Sequence, residues 1–116
     1  MQFKSFENRP WGRYYILHDE PNYKLKRIEV FPQGSLSYQY HHKRSEAWTI
    51  VEGTGTITLD GDTKAYTAGM TVLIPQGTKH RIENFTDTNV VFIEVQTGTY
   101  FGEDDIVRLE DVYNRI

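Results

Sequence analysis

The sequence predicts an all-β fold, a double-sheet jelly roll or small barrel with a short helix at its C-terminal end. Turn-forming Gly, Pro, Asp and Asn recur at short intervals along the 116 residues, and the segments between them have the length of strands. Eight tyrosines and six phenylalanines favour strands, because aromatic side chains fit a pleated surface. About nine short strands with one terminal helix are typical of a jelly roll.

The spacing of the turn residues places each element. Strands are expected near 12–17, 23–31, 36–42, 47–52, 55–59, 64–66, 71–74, 80–84 and 90–96. The stretch 59–63 predicts a tight hairpin, because Gly61 tolerates the positive φ that such a turn needs. A helix is predicted only for the C-terminal segment, residues 103–114. Asp104 and Asp105 near its start complement the helix dipole, and apolar residues follow at three- to four-residue spacing.

Size and composition limit the classes of function. The chain is long enough for one domain and shows no linker or repeat, so residues 1–116 are expected to form a single domain. A net charge of −3 without a basic block argues against nucleic-acid and membrane partners. Without cysteine there is neither a disulfide nor a thiolate metal ligand. No long apolar segment or N-terminal signal is visible, so a cytoplasmic protein is expected.

Two spaced motifs predict one metal site. They are Gly34-x4-Gln39-x-His41-x4-Glu46-x6-Gly53 and Gly69-x5-Pro75-x-Gly77-x2-His80-x3-Asn84. Gln39 and His41 lie two apart on a strand and therefore share a face. Glu46 can return to the same centre after a short turn, and His80 arrives from a second pair of strands. Two imidazoles, a carboxylate and an amide oxygen suit one divalent ion, zinc first, although iron, manganese and nickel accept the same ligands.

The spacing resembles the two motifs of the cupin superfamily, with Gln39 standing where many cupins have a first histidine. Three further segments resemble the C-terminal domain of type II phosphomannose isomerases, a domain that in that family usually follows a mannose-1-phosphate guanylyltransferase domain. They are Arg9-Pro10-Trp11-Gly12, the run 23–28, and a closing run that contains Gly102-Glu103-Asp104-Asp105-Ile106-Val107-Arg108.

This resemblance implies a metal-dependent sugar-phosphate isomerase that interconverts mannose 6-phosphate and fructose 6-phosphate through an enediolate. Arg44 aligns with the family's arginine in its His-His-x-Arg segment. We expect it to bind the phosphate or to stabilise the charge of the enediolate; the alternative is a surface arginine in a turn. By alternation Lys43 shares the face of Gln39 and His41, and it is either a second group that attracts the anionic substrate or a solvated turn residue.

Glu94 is the candidate general base. In the alternation Phe92, Glu94, Gln96 it faces either the barrel cavity, where burial would raise its pKa toward a useful range, or solvent on an edge strand. A homodimer is expected from the family and from edge strands that need covering.

Two other functions stay open. A non-catalytic sugar- or sugar-phosphate-binding cupin is supported by Lys43 and Ala47, which stand where the family commonly carries histidine. A redox cupin such as a dioxygenase is a further alternative. Gln39 argues against it, because such a metal shell is normally richer in histidine.

Overall fold

Strands alone make up the regular structure of residues 1–113, the part of the chain that this computed structural model describes. The strands are β1 (Ser5–Arg9), β2 (Gly12–Asp19), β3 (Tyr23–Val30), β4 (Tyr38–Tyr40), β5 (Arg44–Glu52), β6 (Thr54–Leu59), β7 (Asp62–Thr67), β8 (Thr71–Ile74), β9 (His80–Glu83), β10 (Val90–Gly98) and β11 (Val107–Glu110). One sheet has the order β1-β2-β3-β10-β5-β8, and the other has the order β11-β4-β9-β6-β7. All pairings are antiparallel, which confirms the predicted all-β, double-sheet fold.

The apolar core lies between the two sheets. Trp48 and Phe92 come from the six-stranded sheet, and Ile57 and Ile82 come from the five-stranded sheet; each is 1% exposed or less. The Trp48 and Phe92 rings pack with their centroids 4.7 Å apart. Burying such large side chains supplies the main driving force for closing the sandwich.

Toward one end, the inner face of the six-stranded sheet becomes polar while staying buried. Two rows of directly paired residues cross β3, β10 and β5 there. They are Lys24, Gln96 and Glu46 in one row, and Lys26, Glu94 and Trp48 in the next. All six side chains are 9% exposed or less. Buried polar groups need partners, so this end of the sandwich is built for a site rather than for packing alone.

The predicted C-terminal helix is wrong. Val107–Glu110 forms strand β11 instead, which pairs with β4 and completes the edge of the five-stranded sheet. The apolar residues of the expected helix do not form one buried face: Leu109 is 39% exposed and Val112 is 64% exposed, whereas Tyr113 packs against the core. The last predicted helical position, Asn114, lies outside the described residues.

Two turns require backbone conformations with positive φ. Asp60 and Gly61 take φ of 44° and 86°, which confirms the tight hairpin between β6 and β7. Gly53 has a φ of 80°, and a Cβ there would lie 2.5 Å from the carbonyl oxygen of Asn89. Only glycine fits this position, which explains why the first motif ends with it.

Residues 1–113 contain no helix that could span a membrane.

Candidate metal centre

Three predicted metal ligands meet between the sheets. His41 directly follows β4, Glu46 lies on β5 of the other sheet, and His80 opens β9. The three side chains are 4% exposed or less. Nε2 of His41 lies 3.3 Å from Oε2 of Glu46, Nε2 of His80 lies 3.7 Å from Oε1 of Glu46, and the candidate ligand atoms all lie within 4.8 Å of one another. The three side chains are therefore close enough together to bind one divalent ion.

Hydrogen bonds leave Nε2 of both imidazoles without a proton. Nδ1 of His41 lies 2.7 Å from the carbonyl oxygen of Asp105, and Nδ1 of His80 lies 2.8 Å from that of Thr78. A carbonyl oxygen only accepts, so each Nδ1 carries the proton. Nε2 of His80 is buried without a hydrogen-bond partner among the described residues. This is the arrangement in which backbone carbonyls hold metal-binding histidines, so the donor set fits a divalent ion.

The charge states also suit a metal. Burial lowers the pKa of His41, which keeps its imidazole neutral. Burial alone would raise the pKa of Glu46, but the neighbouring His80, Arg44 and His41 lower it to about 2. A neutral imidazole and an ionised carboxylate are the forms that bind metal ions.

Gln39 lines the same cavity, on β4 and directly opposite His80 of β9. Its side-chain oxygen accepts a hydrogen bond of 3.3 Å from Oγ of Ser37. Because paired residues of antiparallel strands point to the same face, Gln39 is within reach of the centre. Its role as a fourth ligand stays a prediction.

Arg44 is not a surface turn residue, because it opens β5 and is 4% exposed. Its Nε donates a 2.8 Å hydrogen bond to Oε2 of Glu46, and its Nη2 lies 3.3 Å from Nε2 of His41. Burial opposes its charge, but Glu46 and Glu94 outweigh burial and raise the pKa of Arg44. The third nitrogen, Nη1, is buried and has no hydrogen-bond partner in the described part of the chain. The guanidinium thus stands beside the centre with a donor to spare.

Glu94 faces the interior, the first of the two orientations considered for it. Nε1 of Trp48 donates to both Glu46 and Glu94, at 3.0 and 3.1 Å, and Nε2 of Gln96 lies 2.5 Å from the other oxygen of Glu94. Burial and the charge of Glu46 raise the pKa of Glu94 to about 8. Two carboxyl groups joined by one indole therefore hold different protonation states, as acid–base sites require. Catalysis by Glu94 stays a prediction.

The structure does not bring Lys43 to the cavity. Its side chain is exposed, and its ammonium lies 5.2 Å from the centre of the Tyr100 ring.

Four charged residues that the sequence reading did not assign to the site do line the cavity: Arg9, Lys26, Glu103 and Arg108. Nζ of Lys26 lies 2.5 Å from Oε1 of Glu103. Two features of the sequence could have indicated these residues. Lys26 shares a face of β3 with apolar residues, and the closing run is rich in charge. The cavity has a volume of about 70 Å³. One water needs roughly 10–15 Å³ on the same measure, so an ion with several waters fits.

Asp105 holds the His41 segment in place, which explains part of the closing run. Its carboxylate accepts hydrogen bonds from the backbone N–H groups of His42 and Lys43, at 3.0 and 2.9 Å, while its carbonyl accepts from His41. We expect Asp105→Ala to weaken zinc binding by about tenfold, the lower end of what outer-shell partners contribute. The measurement is competition with a zinc-binding dye. Asp104→Ala, at an exposed neighbour, is the control, and equal affinities of the two variants would contradict the prediction.

The raised pKa of Glu94 predicts how stability depends on pH. The folded carboxyl, with a pKa of about 8 against an ordinary 4.5, binds its proton more tightly than the unfolded one. Its contribution is fully present below pH 4.5 and is lost as the pH rises through 8. Urea unfolding of the metal-free protein should therefore show Glu94→Gln gaining stability over the wild type between these pH values. Glu52→Gln, at an exposed position, should follow the wild type; a parallel course for both variants would count against the assignment.

The fold and the site together define a cupin-type protein. A cupin 2 conserved barrel domain protein from Salinispora arenicola superposes with a TM-score of 0.66 and 26% identity, covering 73% of this chain and 74% of that one. The capsular polysaccharide assembling protein CapF from Staphylococcus aureus superposes with a TM-score of 0.78 over 92% of this chain and 32% of CapF. At 24% identity, CapF supports the fold alone.

Residues 1–111 match the family model described as mannose-6-phosphate isomerase C-terminal, and the chain belongs to that family. A mannose-1-phosphate guanylyltransferase from Salmonella montevideo is 46% identical over 107 residues, and one from Escherichia coli K12 is 43% identical over 108. These matches cover 92% and 93% of this chain. The chain spans 23% of the length of each of these relatives.

The names of these relatives correct the predicted function. We expected an isomerase of mannose 6-phosphate and fructose 6-phosphate, but the curated relatives are named guanylyltransferases, a nucleotidyltransferase-type function. The resemblance located the right family and the right region of its members. The isomerase reaction does not follow from it.

Proposed function

We propose that this chain acts in the guanylylation of mannose 1-phosphate, and that its cavity binds the sugar phosphate beside one divalent metal ion, zinc first. The composition of the cavity supports the proposal. His41 and Glu46 line it and, with the neighbouring His80, are available to the ion. The cations Arg44, Lys26 and Arg108 are available to an anionic ligand. The names of the relatives supply the sugar phosphate.

Each part of the cavity has a chemical task in this proposal. A bound divalent ion supplies a Lewis acid for sugar hydroxyl oxygens. Arg44 holds Glu46 in place and offers its unpartnered Nη1 to the ligand. Trp48 fixes the distance between Glu46 and Glu94, and its ring forms an apolar floor between Phe92 and His80.

Calorimetric titration of the zinc-loaded protein tests the proposal. We expect mannose 1-phosphate to bind about tenfold more tightly than mannose, because charge-assisted hydrogen bonds to the phosphate contribute roughly 1.5–3 kcal/mol each. Zinc-free protein should bind the sugar phosphate less tightly. Equal affinity for the two sugars, or no binding of either, would remove the proposal.

We also propose a homodimer that covers the outer face of β5, β8 and β10. Leu73 is 70% exposed there, and it lines an apolar groove with Ala47 and Val95. Sedimentation analysis should show a dimer that Leu73→Asp shifts to monomer. A wild-type protein that sediments as a monomer would exclude it.

A further inference from the structure

We infer that Arg108, with Lys26 across the cavity, forms an anion subsite that holds the phosphate group at the end of the cavity away from His80. This inference rests on the proposed function for the identity of the sugar phosphate. The subsite itself rests on the position and the unpaired donor of Arg108.

A row of paired residues fixes the position of Arg108. On the five-stranded sheet, Arg108 of β11 pairs with Gln39 of β4, and Gln39 pairs with His80 of β9. Directly paired residues point to the same face, so Arg108 shares the inner face with the candidate metal ligands. Two strand spacings separate Arg108 from His80, which is about 10 Å between their backbones. This separation puts an anion at Arg108 and an ion at His80 at different ends of the row.

Among the described residues, Arg108 differs from the other cations of the cavity because no acidic side chain forms an ion pair with it. Arg44 is paired with Glu46, and Lys26 is paired with Glu103. Nε of Arg108 is buried and has no hydrogen-bond partner among the described residues. A buried donor without an acceptor is unfavourable, and a phosphate oxygen would relieve this. The planar guanidinium also matches two phosphate oxygens at once.

Lys26 supplies the second cation from the facing sheet. It is 4% exposed and lines the same cavity, while the Glu103 side chain that pairs with it is 40% exposed. A bound phosphate can therefore replace Glu103 as the partner of Lys26, and the Glu103 carboxylate can then be solvated. Glu94 pairs with Lys26 across the sheet, and because burial raises its pKa to about 8 it is mostly neutral at pH 7 and repels an anion weakly.

The same subsite accounts for the closing run of the sequence. Glu103 and Arg108 line the cavity, and Asp105 fixes the His41 segment between them. A run that predicted a helix thus supplies three charged groups to one site.

Binding of inorganic phosphate by the metal-free protein tests the subsite without relying on metal or sugar. We expect Arg108→Gln to weaken phosphate binding about tenfold in a phosphorus NMR titration, the effect of losing one charge-assisted hydrogen bond. Arg81→Gln is the matched control. Arg81 lies on the same sheet but is engaged by Glu83 and Glu110, and it does not line the cavity. Its phosphate affinity should stay within about twofold of the wild type.

A second variant guards against a folding defect. Arg108→Lys keeps the positive charge but loses the planar guanidinium that can bind two phosphate oxygens. Its phosphate affinity should therefore fall between those of the wild type and Arg108→Gln. A wild-type protein that does not bind phosphate at millimolar concentrations would overturn the inference. Wild-type phosphate affinity in both Arg108→Gln and Arg108→Lys, each shown to be folded, would also overturn it.

The two proposals can fail separately. Phosphate bound through Arg108, with no binding of mannose 1-phosphate by the zinc-loaded protein, would uphold the subsite and remove the proposed function. Mannose 1-phosphate bound equally by the wild type and Arg108→Gln would uphold the function and overturn the subsite.

Discussion

Replacing His80 with alanine is expected to weaken zinc binding by roughly 100-fold or more, since loss of an outer-shell partner already costs 10–100-fold. Nε2 of His80 is fully buried, has no hydrogen-bond partner within residues 1–113, and lies opposite the carboxylate of Glu46. Without it, the site keeps His41, Glu46 and at most the amide of Gln39, too few strong ligands for a tight tetrahedral site. Competition with a chromophoric chelator measures the change.

His42→Ala is the matched control for this prediction. His42 follows a candidate ligand directly, but its side chain is exposed and packs edge-on against Tyr40, with ring centres 5.2 Å apart. Its zinc affinity should equal that of the wild type. A similar loss in both variants would show that zinc binds elsewhere, and an unchanged affinity of His80→Ala would exclude His80 as a ligand.

Replacing Phe92 with alanine is expected to lower the free energy of unfolding by about 3–5 kcal/mol, the range for deleting a buried aromatic ring. Phe92 is 0% exposed and packs on Trp48, whose indole holds Glu46 and Glu94. The cavity left behind would therefore loosen the site as well as the core. Urea unfolding of the metal-free protein gives the difference directly.

Phe85→Ala provides the comparison, because Phe85 is 63% exposed. Surface substitutions usually change the free energy of unfolding by less than about 0.5 kcal/mol. Equal unfolding midpoints for Phe92→Ala and Phe85→Ala would mean that the sheets are not held together as described.

Local rules explain why the grouping of the candidate metal ligands could be predicted from the sequence. The side-chain period of two and the position of turn residues are properties of short segments, and they predicted that His41, Glu46 and His80 would lie together, as they do. The same rule misled for Lys43. Strand β4 ends at Tyr40 and β5 begins at Arg44, so alternation still holds for His41, directly after β4, but not for Lys43, which lies in the turn before β5.

Long-range pairing explains what the sequence reading missed. Arg108 and Lys26 belong to different sheets, and nothing in their local sequences says that the sheets face each other there. The apolar residues of the C-terminal segment have helical spacing. However, the unpaired edge of β4 provides backbone hydrogen-bond partners, and the segment forms strand β11 there. β1, which was not predicted, is an exposed, polar edge strand without apolar alternation.

The corrected function has a related cause. A family resemblance identifies a fold and a ligand set, whereas the reaction depends on what else the cavity holds. Lys43 and Ala47 already departed from the pattern that the family commonly shows.

The alternation of the cavity strands has a consequence for evolution. Every second residue of β3, β5 and β10 points inward, while backbone pairing holds the strands together whatever those side chains are. Single substitutions can therefore exchange a ligand, a cation or an acid without disturbing strand order. A lineage that carries this scaffold can therefore acquire or lose a chemistry in small heritable steps.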